Sequence, residues 1–352
     1  MTPLEHRMIK TNGVTLHAAV QGTGPLVLML HGFPGLWYSW RHQLPAIAAA
    51  GYTAVALDSL GYGRSDHPAD QSFYDSNKIQ GYLEGIVDSF GVERAFVIGQ
   101  DFGAQYMWNF AVRAPDRVHA IVAMVPYDCD LAGRAGAGSK KSSSSLKVEM
   151  SSADTPPSVR FAEWAKKQFN NMHYYSLPGE AEKELGSKPR LFLQKLLFAL
   201  SGKGKLMSWT TAYAPGIGYT DVLPEAPPLP WDWLSTEDMD YFVNEFMRVG
   251  PELAFIGGLN SYRTADRNWE IGEKYADEDV KPPALFLCGA EDPVLKMISP
   301  DALKIQRRRV PNLREVLIPD AGHCVQQERP QQTTDAILEF LNKIRAENKI
   351  TR

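Results

Sequence analysis

Residues 97–104 read VIGQDFGA. An apolar run, Ala95–Ile98, leads into Gly99, and Gly103 follows four residues later. This is the pattern of a sharp strand-to-helix turn whose central side chain stands exposed above a sheet. Small residues on either side make the unfavourable backbone at the centre tolerable. That centre is Asp101, a carboxylate where a hydroxyl nucleophile would be expected. A helix over Phe102–Ala114 follows and is stopped by Pro115, so the positive end of its dipole favours the ionised aspartate.

Working outward, short unbroken apolar runs recur at Leu26–Leu30, Thr53–Leu57, Ala120–Val125 and Ala284–Leu287. Continuous runs, rather than alternation, predict strands covered on both faces, hence a parallel sheet. Helical stretches at Lys78–Phe90, Phe102–Ala114 and Gln332–Ile344 alternate with them, and a further strand is expected at Glu315–Pro319. The fold class is therefore α/β, a mostly parallel doubly wound sheet. The opening segments HRMIKTNG and VTLHAAVQG read as an antiparallel hairpin at one edge. The alternation breaks after Val125. Residues 131–160 are rich in Gly, Ser and Lys and predict a flexible linker. Residues 161–272 are helical and aromatic, which predicts an inserted cap between core segments 1–130 and 273–352.

The bulk numbers exclude several function classes. A net charge of −4 over 352 residues offers no footprint for nucleic acid or an acidic membrane. Cys129, Cys288 and Cys324 are too scattered for a disulfide framework or a zinc cage, and the histidines show no metal-ligand spacing. No cofactor or metal is expected. Gly61-Tyr-Gly-Arg-Ser lacks the third glycine and following helix of a dinucleotide loop. The first residues, MTPLEHRMIKTNG, lack a signal peptide's apolar stretch, and no run suits a membrane span, so the expected location is cytoplasmic.

Three further segments fit the turn. His31-Gly32-Phe33-Pro34 follows strand Leu26–Leu30, where a second oxyanion donor would sit, so the backbone N–H groups of Phe33 and Phe102 form the expected pair. His323, in Asp320-Ala-Gly-His-Cys, and Asp292, in Glu-Asp-Pro, each follow a strand at the edge where open α/β sheets bind ligands. The order nucleophile, acid, histidine suits this scheme, with Asp128 or Asp130 as alternative acids.

These residues resemble a known family. HGFPGLWYSWRHQLP (31–45), GQDFGA and AGHCVQQERP (321–330) are similar to segments of the soluble-type epoxide hydrolases of the α/β-hydrolase fold. Cap segments FNNMHYYSLPGEAEKEL (169–185) and LNSYRTADRNWE (259–270) resemble the two that each donate a ring-opening tyrosine, which implies Tyr174 and Tyr262. The resemblance implies attack by Asp101 on an epoxide carbon, proton donation by the tyrosines, and hydrolysis of the resulting ester by water activated by His323–Asp292. The implied pocket is lined by Trp37, Phe33, Phe102, Tyr174 and Tyr262, with an apolar epoxide and water as partners; a homodimer is compatible with it.

Phe102, Gly35 and Cys324 depart from the family pattern, which usually has tryptophan, glutamate and an aromatic residue there. Two rival readings follow from the same core. A haloalkane or haloacid dehalogenase would need halide-binding indoles or arginines immediately after Asp101, and Phe102-Gly-Ala-Gln supplies none. A non-catalytic ligand-binding protein of this fold would usually have lost part of the constellation.

Overall fold

A computed structural model describes residues 2–127, 155–206, 213–297 and 300–351. Most of the 131–160 linker, together with Asp128 and Asp130, lies outside the described residues. The strands are β1 (Glu5–Thr11), β2 (Val14–Gln21), β3 (Leu26–Leu30), β4 (Thr53–Leu57), β5 (Ala95–Gly99), β6 (Val118–Ala123), β7 (Ala284–Gly289) and β8 (Leu313–Ile318). They form one sheet in the order β1-β2-β4-β3-β5-β6-β7-β8. β2 runs antiparallel to β1 and β4, and every later pairing is parallel.

The central strands β3 and β5 are buried along their whole length, as unbroken apolar runs require when helices cover both faces. The outermost strand, β8, starts two residues before the expected Glu315 and has a mixed exposure pattern, with Leu317 open to solvent. Among the described residues it has one neighbouring strand, β7, so its sequence carries no continuous apolar signal. β6 likewise begins at Val118, which pairs with Ala95 ahead of the apolar run.

Helices α1 (Gln43–Ala49), α2 (Ser76–Ser89) and α3 (Phe102–Arg113) belong to the first core segment. Between β6 and β7 come α4 (Pro157–Ala165), α5 (Asn171–Ser176), α6 (Glu180–Ser187), α7 (Pro189–Leu200), α8 (Tyr219–Val222), α9 (Thr236–Phe246), α10 (Ile256–Arg263) and α11 (Ala265–Gly272). α4 starts four residues earlier than the expected 161 because Pro157 occupies its first turn, where proline's missing N–H costs nothing. The core resumes with α12 (Pro293–Met297), α13 (Pro300–Arg309), α14 (Val325–Glu328) and α15 (Pro330–Glu347).

Polar contacts tie cap to core. Tyr38 Oη donates to Asp238 Oδ1 (2.9 Å), Arg41 pairs with Asp238 (3.2 Å), and Trp37 Nε1 donates to Tyr241 Oη (2.8 Å).

Candidate active site

The site forms where the sheet's strand order reverses. From β3 the chain goes to β4 on one side, while β5 lies on the other, which leaves a crevice beyond the strands' C-terminal ends. Leu30 and Gly99 are partners in register, so the segments 31–33 and 100–101 leave the sheet side by side. Asp101 sits at the turn with φ 52° and ψ −124°. A non-glycine residue in that region stores about 1–3 kcal/mol of strain. Gly103 is what lets the helix start so close: a Cβ there would lie 2.1 Å from the Leu30 carbonyl oxygen.

Asp101 Oδ1 accepts from the Phe33 N–H at 2.9 Å, and its other oxygen, Oδ2, lies 3.4 Å from His323 Nε2. The opposite face of that imidazole meets Asp292, with Nδ1 at 3.0 Å from Oδ2 and 3.3 Å from Oδ1. Asp292 and His323 are both buried. β7 and β8 end in register at Gly289 and Ile318, and the two loops that follow bring Asp292 and His323 together.

The electrostatics follow from this geometry. Burial alone would raise the Asp101 carboxyl, but the hydrogen bond and charge of His323 and the N–H groups of Phe33 and Phe102 outweigh it and hold it below its ordinary range. Burial would lower His323, but Asp292 and Asp101 win and push it up to about 10. Both shifts favour the pairing of carboxylate with imidazolium.

The cap supplies aromatic rings. Tyr262 stands edge-on to Phe102, with centroids 4.9 Å apart, and 6.5 Å from Phe33. Its helix approaches closely because α10 presents glycine to Phe33: a Cβ on Gly258 would come within 2.2 Å of that ring. Gly258 and Tyr262 are four residues apart and so share one helix face. Tyr106 fixes the same helix from below, donating from its hydroxyl to Ser261 Oγ at 3.1 Å. Phe192 and Phe255 flank Phe33 at 6.0 and 6.3 Å and make the surroundings apolar.

Two expected pocket residues are not brought here. The Tyr174 hydroxyl donates to the Glu184 carboxylate, and its ring borders an outer groove of about 370 Å³ with Glu180, Lys183 and Asp221. The ring facing the site is that of Tyr175, 4.9 Å from Tyr262 and 5.5 Å from Phe33. The Tyr175 hydroxyl is buried without a hydrogen-bond partner among the described residues, and burial raises its pKa well above the ordinary phenol value. Adjacent residues on α5 point about 100° apart, so a one-residue difference exchanges site for groove. Trp37 packs against His6, His17, Tyr38 and Tyr241 at the cap–core seam, apart from the Phe33–Tyr175–Tyr262 cluster.

An aspartate on a strained elbow, a His–Asp pair beside it and two backbone donors are the arrangement expected of a hydrolase of the α/β-hydrolase fold. The model of the alpha/beta hydrolase fold family matches residues 25–330. Epoxide hydrolase A of Mycobacterium tuberculosis is 38% identical over 339 residues, covering 95% of this chain and 96% of that protein. Epoxide hydrolase 3 of Siraitia grosvenorii is 35% identical, covering 97% of this chain and 100% of that protein. The crystal structure of epoxide hydrolase A from Mycobacterium thermoresistibile superposes with a TM-score of 0.81 at 36% identity, over 97% of this chain and 98% of that one. The chain belongs to the epoxide hydrolases of the α/β-hydrolase fold.

Proposed function

We propose that this chain converts an apolar epoxide to a vicinal diol in two steps, with Asp101 as nucleophile. Oδ1 is held by the Phe33 N–H, which leaves Oδ2 to attack a ring carbon. The carboxylate is ionised without a general base, unlike a serine hydroxyl. As the C–O bond breaks, the departing oxygen takes a proton from Tyr262 or Tyr175. A phenol suits this role because it stays protonated, and so able to donate, through the physiological range. A positioned acid of this kind contributes about 10²–10⁴ in rate.

The product of the first step is an ester whose carbonyl carbon is Asp101 Cγ. Esterification removes the Asp101 charge that helped to raise His323. The imidazolium then gives up its proton more readily, which replaces the one lost by the phenol, and becomes the base that activates water, held by Asp292. Water attacks Cγ as His323 takes its proton, and the N–H groups of Phe33 and Phe102 stabilise the oxyanion. Collapse returns that proton to the departing alkoxide, releasing the diol. The carboxyl proton left behind passes to His323, which restores the carboxylate. Each such donor contributes about 10²–10³ in rate.

The observation that carries this reading is Asp101 held by the Phe33 N–H on one oxygen and faced by His323 on the other. The phenols of Tyr175 and Tyr262, packed against each other and against Phe33 and Phe102, favour an oxygen leaving group over halide. The test is a single turnover in H₂¹⁸O with enzyme in excess. The label should appear in the Asp101 carboxylate and be absent from the diol; label in the diol would mean direct attack by water.

A further inference from the structure

The loop that carries His323 is held by a buried carboxylate that the two chemical steps leave unused. Glu328 ends the short helix α14, five residues after the histidine, and is buried. Its Oε2 accepts from the backbone N–H of Gly322 at 3.0 Å and of Gly202 at 2.8 Å, and its Oε1 accepts from that of Cys324 at 3.2 Å. Gly322 and Cys324 flank His323, whereas Gly202 lies just past the end of cap helix α7. His323 itself donates its N–H to the carbonyl of Leu200, the last residue of α7, at 2.9 Å. The packing is close: a Cβ on Gly322 would lie 2.3 Å from the Ser201 carbonyl carbon.

We propose that Glu328 is a positioning residue for ester hydrolysis, seating the peptide on both sides of His323 against the end of cap helix α7 so that the imidazole keeps its place over Asp101. An ionised carboxylate is an acceptor only, which suits three converging N–H donors. Charge-assisted bonds of this kind are stronger than neutral ones. The carboxylate also places a negative charge near the imidazole. Among the described residues, the charged groups that face His323 are Asp101 from the elbow, Asp292 from the loop after β7, and Glu328. Those that face Glu328 are His323 and the Cys324 thiol, which Arg41 approaches from the segment after β3. Burial raises the Glu328 carboxyl, and the three N–H groups and His323 oppose that rise.

The inference rests on the two-step reading above. Its test measures the steps separately in Glu328→Gln by rapid quench and intact-mass spectrometry, using styrene oxide as the probe. Ring opening should stay within about twofold of wild type. Ester hydrolysis should fall by about 10- to 100-fold, the scale set by a misplaced catalytic group, so that the ester accumulates. The acid limb of the hydrolysis step should also move to lower pH, because His323 loses a negative neighbour. Equal loss in both steps, no loss in either, or an unmoved acid limb would overturn the proposal.

Gly202→Ala disturbs the same clamp from the cap side and keeps the carboxylate, since its methyl would sit 3.1 Å from the Gly322 nitrogen. It should slow hydrolysis several-fold with ring opening intact, and it decides the question if Glu328→Gln does not fold. Ester in His323→Gln but in neither of these variants would break this inference alone. No ester in His323→Gln would break the two-step reading instead.

Discussion

The core and the cap bring side chains to the crevice beyond β3 and β5 by different means. In the core, Phe33, Asp101, Asp292 and His323 each lie a few residues beyond a strand end, so sheet register fixes where they meet. In the cap, Tyr175 and Tyr262 ride on short helices whose rotation and seating decide which side chain arrives. The core constellation is built from backbone hydrogen bonds and one strained residue. The cap's contribution depends on ring packing and on Glu184 drawing the neighbouring Tyr174 outward. The lesson is that strand-end residues tolerate little displacement, whereas a helix can exchange one tyrosine for its neighbour without changing the fold.

Three perturbations test that difference, beginning with the largest effect. His323→Gln removes the base but leaves the nucleophile and the oxyanion donors. Turnover should fall by about 10³-fold or more while one equivalent of covalent ester forms on Asp101, visible by intact mass. A turnover rate near wild type would show that water is activated elsewhere.

The tyrosines come next. Tyr262→Phe and Tyr175→Phe should each slow ring opening by about 10- to 100-fold, and the double variant by more, with thermal stability nearly unchanged. Tyr174→Phe should stay within about twofold, because its hydroxyl serves Glu184. A large loss in Tyr174→Phe with none in Tyr175→Phe would reverse the assignment, and comparable losses in both would mean that α5 turns during the reaction.

The smallest effect is a pH dependence that separates the two steps. Asp101 is held below the ordinary carboxylate range, so ring opening should persist as the solution becomes acidic. Hydrolysis needs neutral His323 and should fail as pH drops through the histidine's value in the ester. The fraction of wild-type enzyme trapped as ester during turnover should therefore rise on going from pH 8 to pH 5, as read by acid quench. A constant fraction would mean that one group governs both steps.

How much of this was legible in the sequence follows the same division. β3, β4 and the elbow were readable because buried parallel strands are unbroken apolar runs and the turn demands glycine at fixed places. Asp292 could be placed because it closely follows such a strand, and His323 because it lies a short loop beyond the strand expected at Glu315–Pro319. Glu328 was visible as a residue of AGHCVQQERP, but nothing local signals that its carboxylate gathers three N–H groups, one of them contributed by the cap. Trp37 belonged to a readable motif, yet its ring turned to the seam with Tyr241, a contact spanning 204 residues of chain. Gly258 did carry a signal, four residues before Tyr262, for a helix pressed against another element.

The sequence by itself determined the alternation of strand and helix, the carboxylate at the elbow, and the order of nucleophile, acid and histidine, because each depends on neighbours within one turn or strand. The tertiary structure decided which tyrosine packs against Phe33 and Tyr262, where Trp37 packs, and how the cap is stapled to the histidine loop. Those outcomes depend on which groups from distant parts of the chain capture a side chain, and that competition is settled only when the cap lies on the sheet.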